Sequence, residues 1–121
     1  MKRVLLIEDE PNIVEAIRFI LSRDGWAVDT HSDGATALEA IERRGPDLII
    51  LDVMLPNRSG FDIARDVRAH PDFAELPVLM LTARGQEKDR DRAVAAGVSH
   101  FMTKPFSNSE VLAQVRALAG A

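Results

Sequence analysis

Leu48-Ile49-Ile50-Leu51-Asp52 decides the fold of this 121-residue chain. Consecutive aliphatic residues leave no polar face for water, so a strand made of them is covered on both sides, as in the middle of a parallel sheet sandwiched between helices. Asp52 then stands at the carboxyl end of the strand, the edge on which open α/β sheets carry their chemistry. Similar runs lie to either side in sequence: Val4-Leu5-Leu6-Ile7 is followed by Glu8 and Asp9, and Val78-Leu79-Met80-Leu81 by Thr82. A shorter run, Phe101-Met102, comes just before Lys104. As parallel strands of one sheet, these runs would bring the carboxylates of Glu8, Asp9 and Asp52, the Thr82 hydroxyl and the Lys104 ammonium to one crevice. Oxygen donors beside an ammonium suit a small, hard cation and a phosphoryl group.

Between these runs the pattern changes to helical spacing. Pro11 stands where a first helical turn tolerates it, and Ile13, Val14, Ile17, Ile20 and Leu21 share one face of a helix that Gly25 can end. Trp26 to His31 reads as a further strand. Asp33 and Gly34 open a second helix through Arg43, with Ala35, Leu38 and Ile41 inward, until Gly45-Pro46. After Asp52 comes a loop rich in turn formers, Pro56, Asn57, Ser59 and Gly60. The third helix presents Phe61, Ala64 and Val67 and closes at His70-Pro71, because a residue before proline is pushed out of helical space. A charged helix of about Glu87 to Ala96 precedes Gly97. In the last helix Ser107 and Glu110 predict a capping box, with Val111, Leu112, Val115 and Leu118 inward. Strand and helix alternating throughout imply a parallel sheet with right-handed crossovers.

Length and composition bound the class. One domain over residues 1–121 is expected, with 46% hydrophobic and 28% charged residues and no apolar run near the roughly 18 residues of a membrane span. The basic start Met1-Lys2-Arg3 leads into too short an apolar stretch to be a signal peptide, since Glu8-Asp9-Glu10 ends it. A cytoplasmic location is expected. The chain has no cysteine, which removes disulfides, thiolate nucleophiles and sulfur metal sites. A net charge of -4 argues against direct nucleic-acid binding, because the phosphate backbone favours a basic surface.

Val4-Leu5-Leu6-Ile7-Glu8-Asp9-Glu10, Asp47 through Pro56, Ser59-Gly60-Phe61, Leu76 through Ala83 and Thr103-Lys104-Pro105-Phe106 follow one another in the order, and at the separations, of a known set of motifs. Together they resemble the receiver domain of bacterial two-component response regulators, from about Lys2 to Leu118. The resemblance implies a flavodoxin-like doubly wound (βα)5 fold with a five-stranded parallel sheet in the order 2-1-3-4-5. It implies that Asp52 accepts a phosphoryl group from a sensor histidine kinase or histidine phosphotransfer protein, and that the domain catalyses only its own phosphorylation and dephosphorylation. It further implies Mg²⁺ as cofactor, with Asp9, Asp52 and the Met54 carbonyl as direct ligands and Glu8 acting through water. Glu8 replaces a commoner aspartate, and its greater length leaves its mode of ligation open. Lys104 would pair with Asp52 and then with a phosphoryl oxygen, Ala83 would leave room beside the acceptor, and a cis bond is expected before Pro105.

By the same resemblance Thr82 and Phe101 form a switch pair. Phosphoryl oxygens would draw the Thr82 hydroxyl inward, and the ring of Phe101 would follow from solvent to core. The fourth helix, fifth strand and fifth helix would then control a downstream effector or a fused output domain, as a monomer or a phosphorylation-dependent dimer. Ser99-His100 and Gln114 depart from the acidic pair and arginine of members that dimerise through that face. Phe101 lacks the hydroxyl of the commoner tyrosine, so its inward state rests on apolar packing alone.

Each residue also has a purely structural reading. Asp52 alone would more often be a turn former, Glu8-Asp9-Glu10 a helix-start decoration, and Glu87 to Arg92 a solvated face. Three acids converging on a strand-end lysine outweigh those readings. A phosphatase using an aspartyl intermediate would need a second acid where Met54 stands, and a flavin carrier would need a phosphate loop where Glu8-Asp9-Glu10 would repel it. The remaining rival is a receiver fold serving as an adaptor without phosphorylation, disfavoured by the joint presence of Asp9, Asp52, Thr82 and Lys104.

Overall fold

The computed structural model of the chain describes residues 2–83 and 87–119, and the side chains of Glu87 and Lys88 lie outside the described residues. Strands and helices alternate as β1 (Arg3–Ile7), α1 (Pro11–Arg23), β2 (Ala27–His31), a 3-10 turn (Gly34–Thr36) running into α2 (Ala37–Arg44), β3 (Leu48–Asp52), α3 (Gly60–Ala69), β4 (Val78–Thr82), α4 (Glu87–Ala95), β5 (His100–Thr103) and α5 (Asn108–Leu118). The strands form one five-stranded sheet in the order β2-β1-β3-β4-β5, and all four pairings are parallel. This is the expected doubly wound, flavodoxin-like arrangement.

Strand periodicity divides the core in two. Leu5, Ile7, Ile49, Leu51, Val78 and Met80 face one side and pack with residues of α2, α3 and α4. Their alternates, Val4, Leu6, Leu48, Ile50, Leu79 and Leu81, face the other side and pack with α1 and α5. Every residue of β3 and β4 is buried, which is why Leu48 to Leu51 reads without alternation. A fully buried Leu or Ile contributes about 2 kcal/mol through removal from water, so these central strands are a large part of what holds the sheet.

Local signals account for most helix ends. Ser59 caps α3 by accepting from the Asp62 backbone N–H, and Ser107 with Glu110 forms the expected capping box at α5. The α2 expectation needs correction. The chain begins there as a 3-10 turn, so the inward residues are Ala37, Ala40 and Ile41, with Leu38 half-buried, while Ala35 is exposed. A tighter turn advances side chains by a different angle from an α-helix, which rotates Ala35 off the inward face. The α4 helix buries Ala93, followed by Ala96 just past its end, and the Arg92 guanidinium lies 4.2 Å from the centroid of the Phe61 ring of α3. Among the described residues no helix is long and apolar enough to cross a membrane.

Candidate functional site

Parallel register brings the strand ends together. Ile7 of β1 pairs with Leu51 of β3, so Glu8 and Asp52 leave adjacent strands side by side. Thr82 pairs with Thr103, and the Lys104 backbone N–H donates to the Thr82 carbonyl at 2.7 Å. The side-chain oxygens of Glu8, Asp9 and Asp52 lie within 4.8 Å of one another. Lys104 Nζ donates to Glu8 Oε1 at 3.0 Å and to Asp52 Oδ1 at 3.3 Å. The peptide between Lys104 and Pro105 is cis.

The Glu8 carboxylate is turned inward. Besides Lys104 it accepts through Oε2 from the backbone N–H groups of Asp9 at 3.1 Å and Glu10 at 3.2 Å. Its extra methylene lets it reach Lys104, which therefore bridges two carboxylates, Glu8 as well as the expected Asp52. Burial pushes the Glu8 carboxyl up to about 7, the charge of Asp52 adds to the rise, and the Lys104 contact opposes it. Burial alone would lower Lys104, but the Glu8 hydrogen bond and the charges of Asp52 and Glu8 outweigh it and hold the ammonium above its usual range.

The Glu8 shift has a measurable consequence. In the metal-free protein, folding retains a proton that the unfolded chain releases above pH 4.5, so between there and about pH 7 stability falls as pH rises. The ceiling is on the order of 3 kcal/mol at about 1.4 kcal/mol per pKa unit. Urea denaturation in chelator at pH 5 and pH 7.5 should therefore show a larger loss for the wild type than for Glu8→Gln. Parallel profiles would mean that Glu8 titrates as an ordinary carboxylate.

The other expected site residues are distributed as follows. Thr82 is buried at the end of β4. Phe101 is half-buried against the α3 and α4 side of the core, with the Arg90 guanidinium 6.0 Å from its ring centroid. Ala83 is exposed and lines a cavity of about 470 Å³ with Lys104, Pro105 and Phe106. Met54 follows β3 and is 72% exposed. His100 is exposed and belongs to no cluster of metal-ligating side chains among the described residues.

Two glycines let the site assemble. A Cβ on Gly60 would lie 2.2 Å from the Asp52 carbonyl oxygen, and one on Gly34 would lie 2.1 Å from the Arg58 carbonyl oxygen. The start of α3 thus rests on the backbone of Asp52, and the turn after β2 rests on the loop after β3. Asp33 Oδ1 accepts from Asn57 Nδ2 at 2.9 Å, and Gly34 N donates to the Pro56 carbonyl at 3.0 Å. The sequence marks Asp33 and Asn57 only as a helix opener and a turn former; nothing in their spacing of 24 residues announces the link.

A family model described as response regulator receiver domain matches residues 4–116, and the chain belongs to that family, the receiver domains of two-component response regulators. It is 40% identical over 118 residues to the phosphate regulon transcriptional regulatory protein PhoB of Rhizobium meliloti (strain 1021), covering 98% of this chain and 52% of that protein. The chain spans about half the length of the curated relatives it matches. Chemotaxis response regulator CheY4 of Vibrio cholerae superposes with a TM-score of 0.91 at 29% identity, covering 98% of each chain. The receiver domain of sensor histidine kinase PA1611 from Pseudomonas aeruginosa PAO1, solved with a magnesium ion coordinated in its active site cleft, gives a TM-score of 0.90 at 30% identity over 99% of this chain and 98% of that one. An all-oxygen donor set of clustered carboxylates is the ligand chemistry that Mg²⁺ takes, so Glu8, Asp9 and Asp52 fit such a site.

Proposed function

We propose that Asp52 takes a phosphoryl group from a phosphohistidine of a sensor histidine kinase or histidine phosphotransfer protein, and that the change is relayed to α4, β5 and α5 to control an output. A carboxylate oxygen of Asp52 supplies the electron pair of the new O–P bond while the N–P bond to imidazole breaks, its electron pair staying on the departing nitrogen. Asp9, Asp52 and the Met54 carbonyl would hold Mg²⁺, with Glu8 acting through water. The ion offsets the repulsion between an anionic nucleophile and an anionic phosphoryl group. An indirect part for Glu8 accords with its bonds to Lys104 and two backbone N–H groups, which leave its oxygens engaged by the protein. Lys104 keeps its proton and can pass from Asp52 to a phosphoryl oxygen without crossing the site.

The observation that carries this reading is the convergence of three carboxylates within 4.8 Å on an ammonium bonded to two of them. The magnesium described in the Pseudomonas aeruginosa receiver supports the choice of metal. Relatives of about twice this length, described as transcriptional regulatory proteins, support an output domain fused to the receiver or an equivalent partner. The domain would work in the cytoplasm, as a monomer or a phosphorylation-dependent dimer, and without binding DNA itself. Incubation with acetyl phosphate should add one phosphoryl group by intact mass when Mg²⁺ is present and essentially none in chelator. No uptake with Mg²⁺ would favour the adaptor reading.

Relay would run through Thr82 and Phe101. Moving an equilibrium from 1:99 to 99:1 takes about 5.5 kcal/mol. Charge-assisted hydrogen bonds contribute roughly 1.5 to 3 kcal/mol each, so contacts from Thr82, Lys104 and a backbone N–H to the phosphoryl group suffice. A beryllofluoride mimic with Mg²⁺ should therefore shift NMR resonances from Asp89 to Met102 as well as those at the site. Thr82→Ala should still accept the phosphoryl group but lose most of the distant shifts. Shifts confined to neighbours of Glu8, Asp9, Asp52 and Lys104 in the wild type would disprove the relay.

A further inference from the structure

We infer that Asp33 and Asn57 are positioning residues for the metal site: the Asp33 carboxylate, gripping the Asn57 amide, holds the loop after β3 so that the Met54 carbonyl is presented to the cation. The inference rests on the proposed role of that carbonyl.

The loop leaves the sheet at Val53 and returns at Gly60, whose N–H donates to the Val53 carbonyl at 2.9 Å. Within it, Leu55 N donates to the Val53 carbonyl at 3.2 Å and Arg58 N to the Pro56 carbonyl at 2.9 Å, and the half-buried Leu55 side chain packs on the core, which leaves Pro56 to Arg58 as the exposed tip. Met54, 72% exposed, does little to anchor itself. That tip is attached from outside. Gly34 N bonds the Pro56 carbonyl at 3.0 Å, and Asn57 Nδ2 bonds Asp33 Oδ1 at 2.9 Å. On the far side Arg58 makes a paired contact with Asp66 of α3, at 2.9 Å for each bond.

Asn57 is also the one non-glycine residue with positive φ among the described residues, at 71°. Asparagine tolerates that conformation better than most residues, but a glycine would reach it without a side chain. The amide therefore has a use beyond the turn, and its partner is fixed in turn: Asp33 Oδ1 also accepts from Ala35 N at 2.9 Å. The Asn57 contact, followed by the Ala35 N–H, holds the Asp33 carboxyl below its usual range, as befits an acceptor of two hydrogen bonds. The Asp33 carboxylate is not among the clustered acids of the site, so it acts through the loop rather than on the ion.

Residues that orient metal ligands typically change affinity by 10- to 100-fold when removed. Acting through three residues of backbone, Asp33 should lie at the low end. The experiment is calorimetric Mg²⁺ binding, with urea denaturation in chelator as the control for folding. Asp33→Ala should weaken Mg²⁺ binding by roughly tenfold, while Asp33→Asn, which keeps the accepting oxygen and loses the charge, should stay within about twofold of wild type. Equal losses in the two variants would mean a charge effect and overturn the positioning role. Asn57→Gly retains the turn and the Asp33–Ala35 bond, and it should match Asp33→Ala, with the double variant no worse than either. Unchanged affinity in Asn57→Gly would overturn the inference even if Asp33→Ala folds poorly. Asp9→Ala separates the two claims: if wild type binds Mg²⁺ and Asp9→Ala does not, the metal site stands whatever Asp33 does, whereas no binding by wild type removes the site itself and this inference with it.

Discussion

Asp52→Asn is expected to take up no phosphoryl group from acetyl phosphate and Mg²⁺, while the metal-free protein becomes more stable than wild type. The first half follows from chemistry, because an uncharged amide oxygen is a far weaker nucleophile than a carboxylate and the alternatives are poorly disposed. Glu8 is engaged by Lys104 and by the N–H groups of Asp9 and Glu10, and Asp9 is exposed rather than seated beside the lysine. The second half follows from charge. Above pH 7, where Glu8 is ionised as well, three carboxylates lie within 4.8 Å of one another beside one ammonium, so removing the charge of Asp52 there relieves repulsion while Lys104 keeps its 3.0 Å bond to Glu8. At an effective dielectric of about 20 this relief is about 3 kcal/mol for each charged pair, less what the lost Asp52–Lys104 contact contributed. Wild-type labelling of the Asn variant would refute Asp52 as acceptor. A drop in its stability in chelator would mean that the ion pair with Lys104 outweighs the repulsion.

Arg68→Ala is expected to destabilise the fold by about 3 kcal/mol, an effect large against the marginal stability of a small domain. The Arg68 guanidinium donates from Nε to the Gly97 carbonyl at 2.7 Å, and from Nη1 to the carbonyls of Leu76 at 2.7 Å and Ala74 at 3.2 Å. Its Nη2 reaches Ser99 Oγ at 3.3 Å, which also accepts from the Val78 backbone N–H at 3.0 Å. One side chain thus ties the end of α3 to the segments leading into β4 and β5. No carboxylate partners it among the contacts of the described residues, and burial lowers its affinity for the proton. Its attraction is to carbonyl dipoles. Arg68→Lys should recover only part of the loss, because a single ammonium cannot reproduce a fork that spans both segments. Urea denaturation measures both variants. A change below about 0.5 kcal/mol for the alanine variant would class Arg68 with ordinary surface residues.

Ser99 takes a different meaning in this light. In the sequence it is a departure from the acidic pair of members that dimerise through the face of α4, β5 and α5. In the structure its hydroxyl accepts from Val78 and Arg68, a local role that a longer acidic side chain would have to fill differently. The departure thus has a structural use within one molecule.

The parallel sheet and its strand-end acids were legible because they depend on patterns that need only near neighbours, whereas the strand order followed only from the family resemblance. A run such as Leu48 to Leu51, short and bounded by turn signals, suits a doubly covered strand, and the polar residue ending each run must emerge at the same edge once the strands are parallel. The capping box at Ser107 and Glu110 and the end of α3 before Pro71 are local in the same way. The 3-10 start of α2 was not, since Gly34 is pressed against the Arg58 carbonyl by a loop far along the chain.

By itself, then, the sequence determined which strand residues enter the core and the inward faces of the first, third and last helices, which ends of the strands carry charge, and the family to which the chain belongs. Only the tertiary structure decided that Glu8 turns inward to share Lys104 with Asp52, that Asp33 reaches Asn57 across 24 residues, and that Arg68 is a tie rather than a surface charge. The physical reason is common to all three. Hydrophobic periodicity is a property of consecutive residues, whereas a polar contact between distant segments is fixed by distances of about 3 Å that exist only after the sheet and its crossovers have assembled.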